Sequence, residues 1–386
     1  MVIYFVENRN KNLFFISVQK GEGKMKIIIM TGAFGGGHVS AATAVSEQLH
    51  DRLPNAQIQI VDVISQLFEK QSKLIYGMFH FLVNHVSFAY NTYCKVTTGN
   101  QIEITAFQKM IVKRINAFLD ATQPDAVVVT IPLLAHYISC YKEQHGGTPA
   151  LYTYITDIEV RPEWLAASTD QYFVASDEVK QSLIDKGVFR EDITVSGIPV
   201  RSSFVYKNGT PLRVRNHNKR EVLIMGGGMG MIPGWKKMIK QLLKFPRIHI
   251  TVIAGNNQAL QGEIQRSFPT VRVIGVTNQV AWYMYQADVL VSKSGGVTMF
   301  EAIYSETPMC VIAPFLSQEQ DNAKFIENHQ MGVVMWKKKE DYAKCIRELL
   351  NSPYTLLQMR KNMRSFRYRL DDGCPYEAEW RSAQAL

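Results

Sequence analysis

At 386 residues the chain is longer than one ordinary core can serve, and two domains are the default. Its 46% apolar and 20% charged residues exclude a disordered or fibrous class, and no apolar run reaches the ~18 residues of a membrane-spanning helix. The charge is uneven: 17 Lys+Arg against 19 Asp+Glu leave −2 in residues 1–200, whereas 26 against 15 leave +11 in residues 201–386.

Residues 1–24 lack a basic segment followed by a long apolar stretch, which is not the pattern of a signal peptide. They are expected to form a dispensable extension ahead of the first domain. KIIIMT (26–31) is a buried strand, followed by a glycine-rich loop and a helix near 40–52. Further strands are expected at 58–63, 125–131, 150–156 and 171–176. Residues 126–140 read as a buried strand, a turn and a helix, because Pro132 and His136 interrupt the apolar run. Residues 207–220, polar and basic, form the natural linker. A second series follows at 221–228, 248–255, 271–276, 288–296 and 308–314. Continuous Val/Ile-rich strands alternating with helices point to parallel sheets covered on both faces. The expected architecture is α/β, with two Rossmann-like domains (25–206 and 221–352) facing each other across a cleft and a basic helix and tail over 353–386.

Five scattered cysteines (Cys94, Cys140, Cys310, Cys345 and Cys374) with no CxxC pair fit neither a zinc framework nor a disulfide scaffold, and suit a reducing compartment. His80 and His85 stand five apart, a poor spacing for a shared metal on one helix face. No metal site and no cofactor are expected.

In parallel sheets ligands bind at the carboxyl ends of strands, and three glycine-rich segments fall there: 35–37, 226–230 and 295–296. The GGGMGM of 226–231 does not meet a clean GxGxxG register, and no acidic residue closes the next strand. A GxxxxGK[ST] loop is absent, so dinucleotide and ATP chemistry are set aside. The segment 290–326 is more informative. A strand ends near Ser292, Gly295 and Gly296 turn, and a helix begins near Val297, so free N–H groups would face a diphosphate. Glu301, expected in about the first turn, can accept hydrogen bonds from a ribose diol. Residues 317–322 open another helix with groups able to read sugar hydroxyls. First-turn acids and N-caps account for any one of these residues equally well.

Taken together, GGGHxxAA (Gly35–Ala42), Thr156-Asp157 before Trp164, GIPVRSSF (Gly197–Phe204), SKSGGVTMFEA (Ser292–Ala302) and QEQDNAKF (Gln318–Phe325) carry a resemblance. The chain resembles the monogalactosyldiacylglycerol synthase and processive diacylglycerol glucosyltransferase family over most of residues 25–366. The resemblance implies a GT-B fold and metal-independent, inverting transfer of a hexose from a UDP-sugar to a lipid hydroxyl. It further implies that Ser294, Gly295, Gly296, Val297 and Thr298 cradle the diphosphate and that Glu301 holds the ribose. Gln318, Glu319 and Asn322 would meet the transferred sugar, Gly226, Gly227 and Gly228 would line the phosphates, and Val276 backbone would meet the uracil.

His38 follows Gly36 and Gly37 at a helix start, where the helix dipole disfavours imidazolium and leaves a neutral ring able to take a proton. The resemblance gives this histidine the catalytic role; capping or packing is the reading it displaces. Asp157 would orient the acceptor or His38, or serve as a turn acid. Relatives often carry histidine shortly before the tryptophan, where this chain has Arg161 and Pro162. The aromatic stretch 72–97 is read as an interfacial segment or acceptor lid, with core packing as its rival. Arg360, Lys361, Arg364, Arg367 and Arg369 are read as a face for anionic lipid headgroups.

The expected activity is transfer of a hexose, glucose first, from a UDP-hexose to diacylglycerol or glycosyldiacylglycerol on the inner face of the cell membrane. Processive addition is left open, and no nucleic acid is involved. Three alternatives stay open: N-acetylglucosamine transfer to a polyprenyl-linked acceptor, UDP-sugar 2-epimerisation, and a non-catalytic UDP-sugar sensor.

Overall fold

The computed structural model describes residues 4–6, 14–16, 24–34, 36–68, 72, 76–77, 106–205, 219–227, 233–337 and 340–370. Two compact units divide the chain between Arg201 and Ser202, with Gly35–Gly37 grouped with the second. A short antiparallel pair, β1 (Tyr4–Val6) and β2 (Phe14–Ile16), precedes the first sheet.

The first unit is built on six parallel strands: β3 (Lys26–Thr31), β4 (Gln57–Asp62), β5 (Ala126–Val129), β6 (Ala150–Tyr154), β7 (Gln171–Val174) and β8 (Ile193–Val195). Their spatial order is β4-β3-β5-β6-β7-β8. One face packs Ile28, Met30, Val127 and Val129 against Ile115 and Leu119 of the helix Ala106–Thr122 and Ile138 of the helix Leu134–Gln144. The other face packs Ile27, Ile29, Ala126 and Val128 on Ala42 and Val45 of the helix Gly37–Arg52. Covering on both faces explains why these strands are continuous apolar runs.

The second unit repeats the plan with β9 (Arg220–Met225), β10 (Ile248–Ile253), β11 (Arg272–Ile274), β12 (Val289–Ser292), β13 (Met309–Ile312) and β14 (Gly332–Met335). The order is β11-β10-β9-β12-β13-β14, again all parallel. The helix Pro353–Arg367 belongs to this unit and seats Leu356 and Met359 in its core.

The strand, turn and helix read in 126–140 are present as Ala126–Val129 and Leu134–Gln144. The first helix starts at Gly37, ahead of the expected position near residue 40, which carries His38 into the helix itself. The edge strands β8 and β14 were not anticipated. Most of the aromatic stretch 72–97, residues 207–218 of the expected linker 207–220 and the tail 371–386 lie outside the described residues, and the linker's last residue, Arg220, opens β9.

Candidate functional site

A doubly wound sheet opens a crevice at its carboxyl end, beside the strand where winding reverses. In the first sheet that point is between β3 and β5, where Met30 pairs with Val129. The chain leaving β3 runs through the glycine loop and places His38 in the first turn of the helix Gly37–Arg52. Gly36 sits at φ +87°, a conformation that side chains other than glycine's rarely tolerate. Tyr76 anchors the loop: its hydroxyl accepts from the Ala33 N–H at 2.9 Å and donates to Asp62, and its ring meets Phe34 edge-on. That contact gives one aromatic of the 72–97 stretch a structural task. Burial and the Asp62 carboxylate together push the Tyr76 phenol well above its ordinary value.

His38 Nδ1 lies 2.9 Å from the carbonyl oxygen of Thr130, the residue just after β5, and 3.2 Å from Thr156 Oγ1. A carbonyl oxygen can only accept, so Nδ1 carries the proton and Nε2 keeps its lone pair. The Thr130 hydroxyl donates to Thr31 Oγ1 at 2.9 Å, and all three threonines are buried. Burial lowers the pKa of His38, against opposing pulls from the negative charge of Asp157 and the Thr130 carbonyl. The ring is therefore mainly neutral at pH 7, fixed in one tautomer, and competent to accept a proton at Nε2.

Asp157 stands on the loop after β6, half-buried, and accepts from the indole Nε1–H of the fully buried Trp164 at 3.0 Å. It reaches His38 through its charge, while its hydrogen bond holds the tryptophan. Thr130 and Thr156 were not among the expected site residues. Thr156 was visible as the neighbour of Asp157, but a backbone carbonyl such as that of Thr130 leaves no mark in a sequence.

In the second sheet winding reverses between β9 and β12, where Met225 pairs with Ser292. Both glycine segments of this unit leave the sheet there. Gly226 is buried and Gly227 exposed at φ +70°; Gly228 lies outside the described residues. After β12 come Lys293, Ser294 and Gly295, then the helix Gly296–Tyr304. Gly295 caps it in an extended conformation with no side-chain cap, so the first N–H groups, at Gly296, Val297 and Thr298, remain available to an anion. Val297 is buried and Thr298 half-buried.

Several expected ligand groups prove to be engaged within the protein. The Ser294 hydroxyl donates to the Glu319 carbonyl at 2.6 Å, and Asn322 Nδ2 donates to the Ser294 carbonyl at 2.7 Å. These two bonds lock the post-β12 loop onto the helix Ser317–Asn328. Glu319 caps that helix, accepting from the N–H groups of Phe315 and Leu316 at 3.3 and 3.5 Å. Glu301 is the sixth residue of its helix, in the second turn rather than the first, and is buried. Asn322 Oδ1 is buried with no hydrogen-bond partner among the described residues, which leaves one acceptor open. Gln318 is half-buried, and Val276 is exposed just beyond β11.

Lys293 was missed. It precedes the glycine turn, with its ammonium 3.8 Å from Glu319 and 5.1 Å from the centre of the Phe315 ring. A cation held there complements the helix N-terminus towards an anion. Its signal was the SK before SGG. Among the described residues no group of three or more His, Cys, Asp or Glu could hold a metal ion, and no helix is long and apolar enough to cross a membrane.

The basic face read in the last helix is largely turned inward. Arg364 makes a paired hydrogen bond with both carboxylate oxygens of Glu306, at 2.9 and 2.6 Å. Arg360 donates to the carbonyls of Glu306 and Asp288, and Arg367 to that of Tyr304. Only Lys361 and Arg369 of the five are exposed.

Residues 38–200 match the family model for monogalactosyldiacylglycerol (MGDG) synthase, and residues 222–372 that for the glycosyltransferase family 28 C-terminal domain. Processive diacylglycerol beta-glucosyltransferases of Bacillus cereus (strain AH187) and Bacillus anthracis (strain CDC 684 / NRRL 3495) are each 28% identical over 361 residues. The aligned part covers 88% of this chain and 89% of theirs. Among solved structures, MurG of Acinetobacter baumannii superposes with a TM-score of 0.58 at 14% identity, covering 92% of this chain and 98% of its own. The kitacinnamycin glycotransferase gives 0.58 at 13%, over 94% and 99%. A UDP-N-acetylglucosamine 2-epimerase gives 0.52 at 13%, over 88% and 91%, so the architecture alone does not select transfer. The fold is GT-B, with a match to the MGDG-synthase model within the first unit and to the glycosyltransferase family 28 C-terminal model within the second.

Proposed function

We propose that this glycosyltransferase moves a hexose, glucose in the first instance, from a UDP-sugar to the free hydroxyl of diacylglycerol with inversion. The observation that carries the reading is His38: a neutral ring, with Nδ1–H donated to the Thr130 carbonyl and Nε2 left as base. In the proposed step Nε2 takes the proton of the acceptor hydroxyl as its oxygen attacks the anomeric carbon. The bond from that carbon to the diphosphate breaks, and the electron pair leaves with UDP. N–H groups at the start of the helix Gly296–Tyr304, with Lys293 beside them, offset the charge on the departing diphosphate. Asn322 Oδ1 is an open acceptor for a donor hydroxyl.

The choice of glucose and diacylglycerol is supported by the Bacillus relatives, which align over nearly the whole chain. Addition of a second hexose to glycosyldiacylglycerol follows the same chemistry, because the product again presents a free hydroxyl.

The test is incubation of the purified protein with diacylglycerol vesicles and radiolabelled UDP-glucose, UDP-galactose or UDP-N-acetylglucosamine, with lipids separated by thin-layer chromatography. A labelled glycolipid from UDP-glucose that disappears in His38→Ala, with UDP binding retained, is the expected result. Sugar-nucleotide turnover without a lipid product would place the chain with the epimerases instead.

A further inference from the structure

The second unit carries a cavity of about 570 Å³ away from the glycine loops, at the amino ends of β9, β10 and β11. One carboxylate shared between two arginines braces its floor. Asp288 lies 3.9 Å from both Arg220 and Arg360 and accepts from the Glu221 N–H at 2.9 Å. Its rim differs. Trp282 (43% exposed), Tyr354 (78%) and Leu357 (44%) stand on it beside Lys219 and Arg272.

Three of the eight exposed large apolar side chains among the described residues line this one cavity, so they form a cluster rather than the scattered singles common on surfaces. Lys219 and Arg272 have no side-chain partner among the described residues. On the helix Pro353–Arg367, Tyr354, Leu357 and Lys361 recur at three and four residues and share one exposed face, while Leu356, Met359 and Met363 face the core. This face carries Lys361, a cation that remains outward once Arg360, Arg364 and Arg367 turn in.

We propose that this rim docks the second unit on an anionic phospholipid surface, with Trp282, Tyr354 and Leu357 entering the interface and Lys219, Arg272 and Lys361 meeting headgroup phosphates. Aromatic side chains ringed by lysine and arginine are the composition of a membrane boundary. Protein interfaces share the aromatic and arginine enrichment but are depleted in lysine, whereas two of the three cations here are lysines. The net charge of +11 in residues 201–386 points the same way.

The inference rests on the membrane acceptor proposed above and gives it a landing surface, but its test needs neither donor nor acceptor. The purified full chain is sedimented with vesicles of phosphatidylcholine alone and of phosphatidylcholine with phosphatidylglycerol, all free of diacylglycerol. Binding is expected only to the anionic vesicles, weakening as salt rises. Each cation neutralised should lower the partition coefficient about fivefold, so K219Q/R272Q should lose about 25-fold. Trp282→Ala with Tyr354→Ala should weaken binding further, with UDP affinity and melting temperature unchanged in every variant.

Wild-type protein indifferent to phosphatidylglycerol, or variants that sediment as wild type does, would overturn the proposal. So would a concentration-dependent dimer that the same substitutions abolish while vesicle binding persists, since the face would then belong to a second copy. Binding to these vesicles, together with no labelled glycolipid in the separate diacylglycerol assay, would sink the proposed activity and leave the surface standing.

Discussion

Beside the winding reversal of the first sheet the chain places a side chain, His38, held by Thr130 and Thr156. Beside the same reversal in the second sheet it places backbone: Gly226, Gly227 and the uncapped N–H groups that open the helix Gly296–Tyr304. The topology is common to both, and the difference follows from the work proposed for each. Moving a proton requires a group that titrates near neutrality, and only a side chain supplies one. Holding a diphosphate requires many short donors, which a glycine turn and a helix start provide without a side chain in the way. The comparison predicts that the first unit is broken by changing one ring, the second by disturbing the loop that presents the backbone.

The largest effect should come from His38. Removing a general base costs typically 10²–10⁴ in rate, so His38→Ala should lower kcat by about that factor with UDP affinity unchanged. A pH profile sharpens this. The imidazole must be unprotonated to act, and burial lowers its pKa below the ordinary value near 6.5. Activity should therefore hold through neutrality and fall on the acid side only below about pH 6.5, with no such limb left in the alanine variant. Stability has the same sign. The unfolded chain takes up the proton first as pH drops, so the contribution of His38 fades between the unfolded and folded pKa values.

On the second unit, Asn322→Leu should rank next. It strips the donor from the Ser294 carbonyl and leaves a buried acceptor unsatisfied, a cost of about 1–3 kcal/mol. Because that bond locks the loop before Gly295, UDP affinity should fall along with the melting temperature, while the pKa of the base should not move. An unchanged UDP affinity would mean that the loop holds its shape without Asn322.

The winding pattern was legible because Val/Ile runs buried on both faces need no context to be recognised. The edge strands β8 and β14 were not, since Ile193–Val195 and Gly332–Met335 are defined by the neighbour they pair with rather than by length. His38 was legible from its glycines. Its tautomer was not, because the deciding group is a carbonyl 92 residues away. Ser294 and Glu319 have the residue types of ligands, but a tertiary contact turned the Ser294 hydroxyl to the Glu319 backbone carbonyl, and the Glu319 carboxylate caps the start of its own helix. The arginines of the last helix looked like an outward charge run because their acceptor, Glu306, lies 58 residues from Arg364 in the chain.

That acid gives a third, smaller prediction on the second unit alone. Glu306→Ala removes the carboxylate from both Arg364 and Arg367. The pairing raises the pKa of Arg364 through its hydrogen bonds, but the group is partly solvated, so the loss should be about 1–2 kcal/mol rather than that of a buried pair. Chemical denaturation should report it, with activity per folded molecule unchanged.

The smallest effect separates the two contacts that hold the base. Thr156→Val keeps the shape and deletes only the hydroxyl 3.2 Å from His38 Nδ1. The Thr130 carbonyl, nearer at 2.9 Å, still fixes the tautomer. Orientation should then loosen without being lost, and a hydrogen bond of about 1 kcal/mol corresponds to roughly fivefold in kcat. KM for the donor should stay where it is, because Thr156 belongs to the first unit and the donor loops to the second. A fall as deep as that of His38→Ala would mean that the hydroxyl, not the carbonyl, sets the proton on Nδ1. No change at all would assign the tautomer wholly to the backbone of Thr130, and with it to the register that brings β5 beside β3.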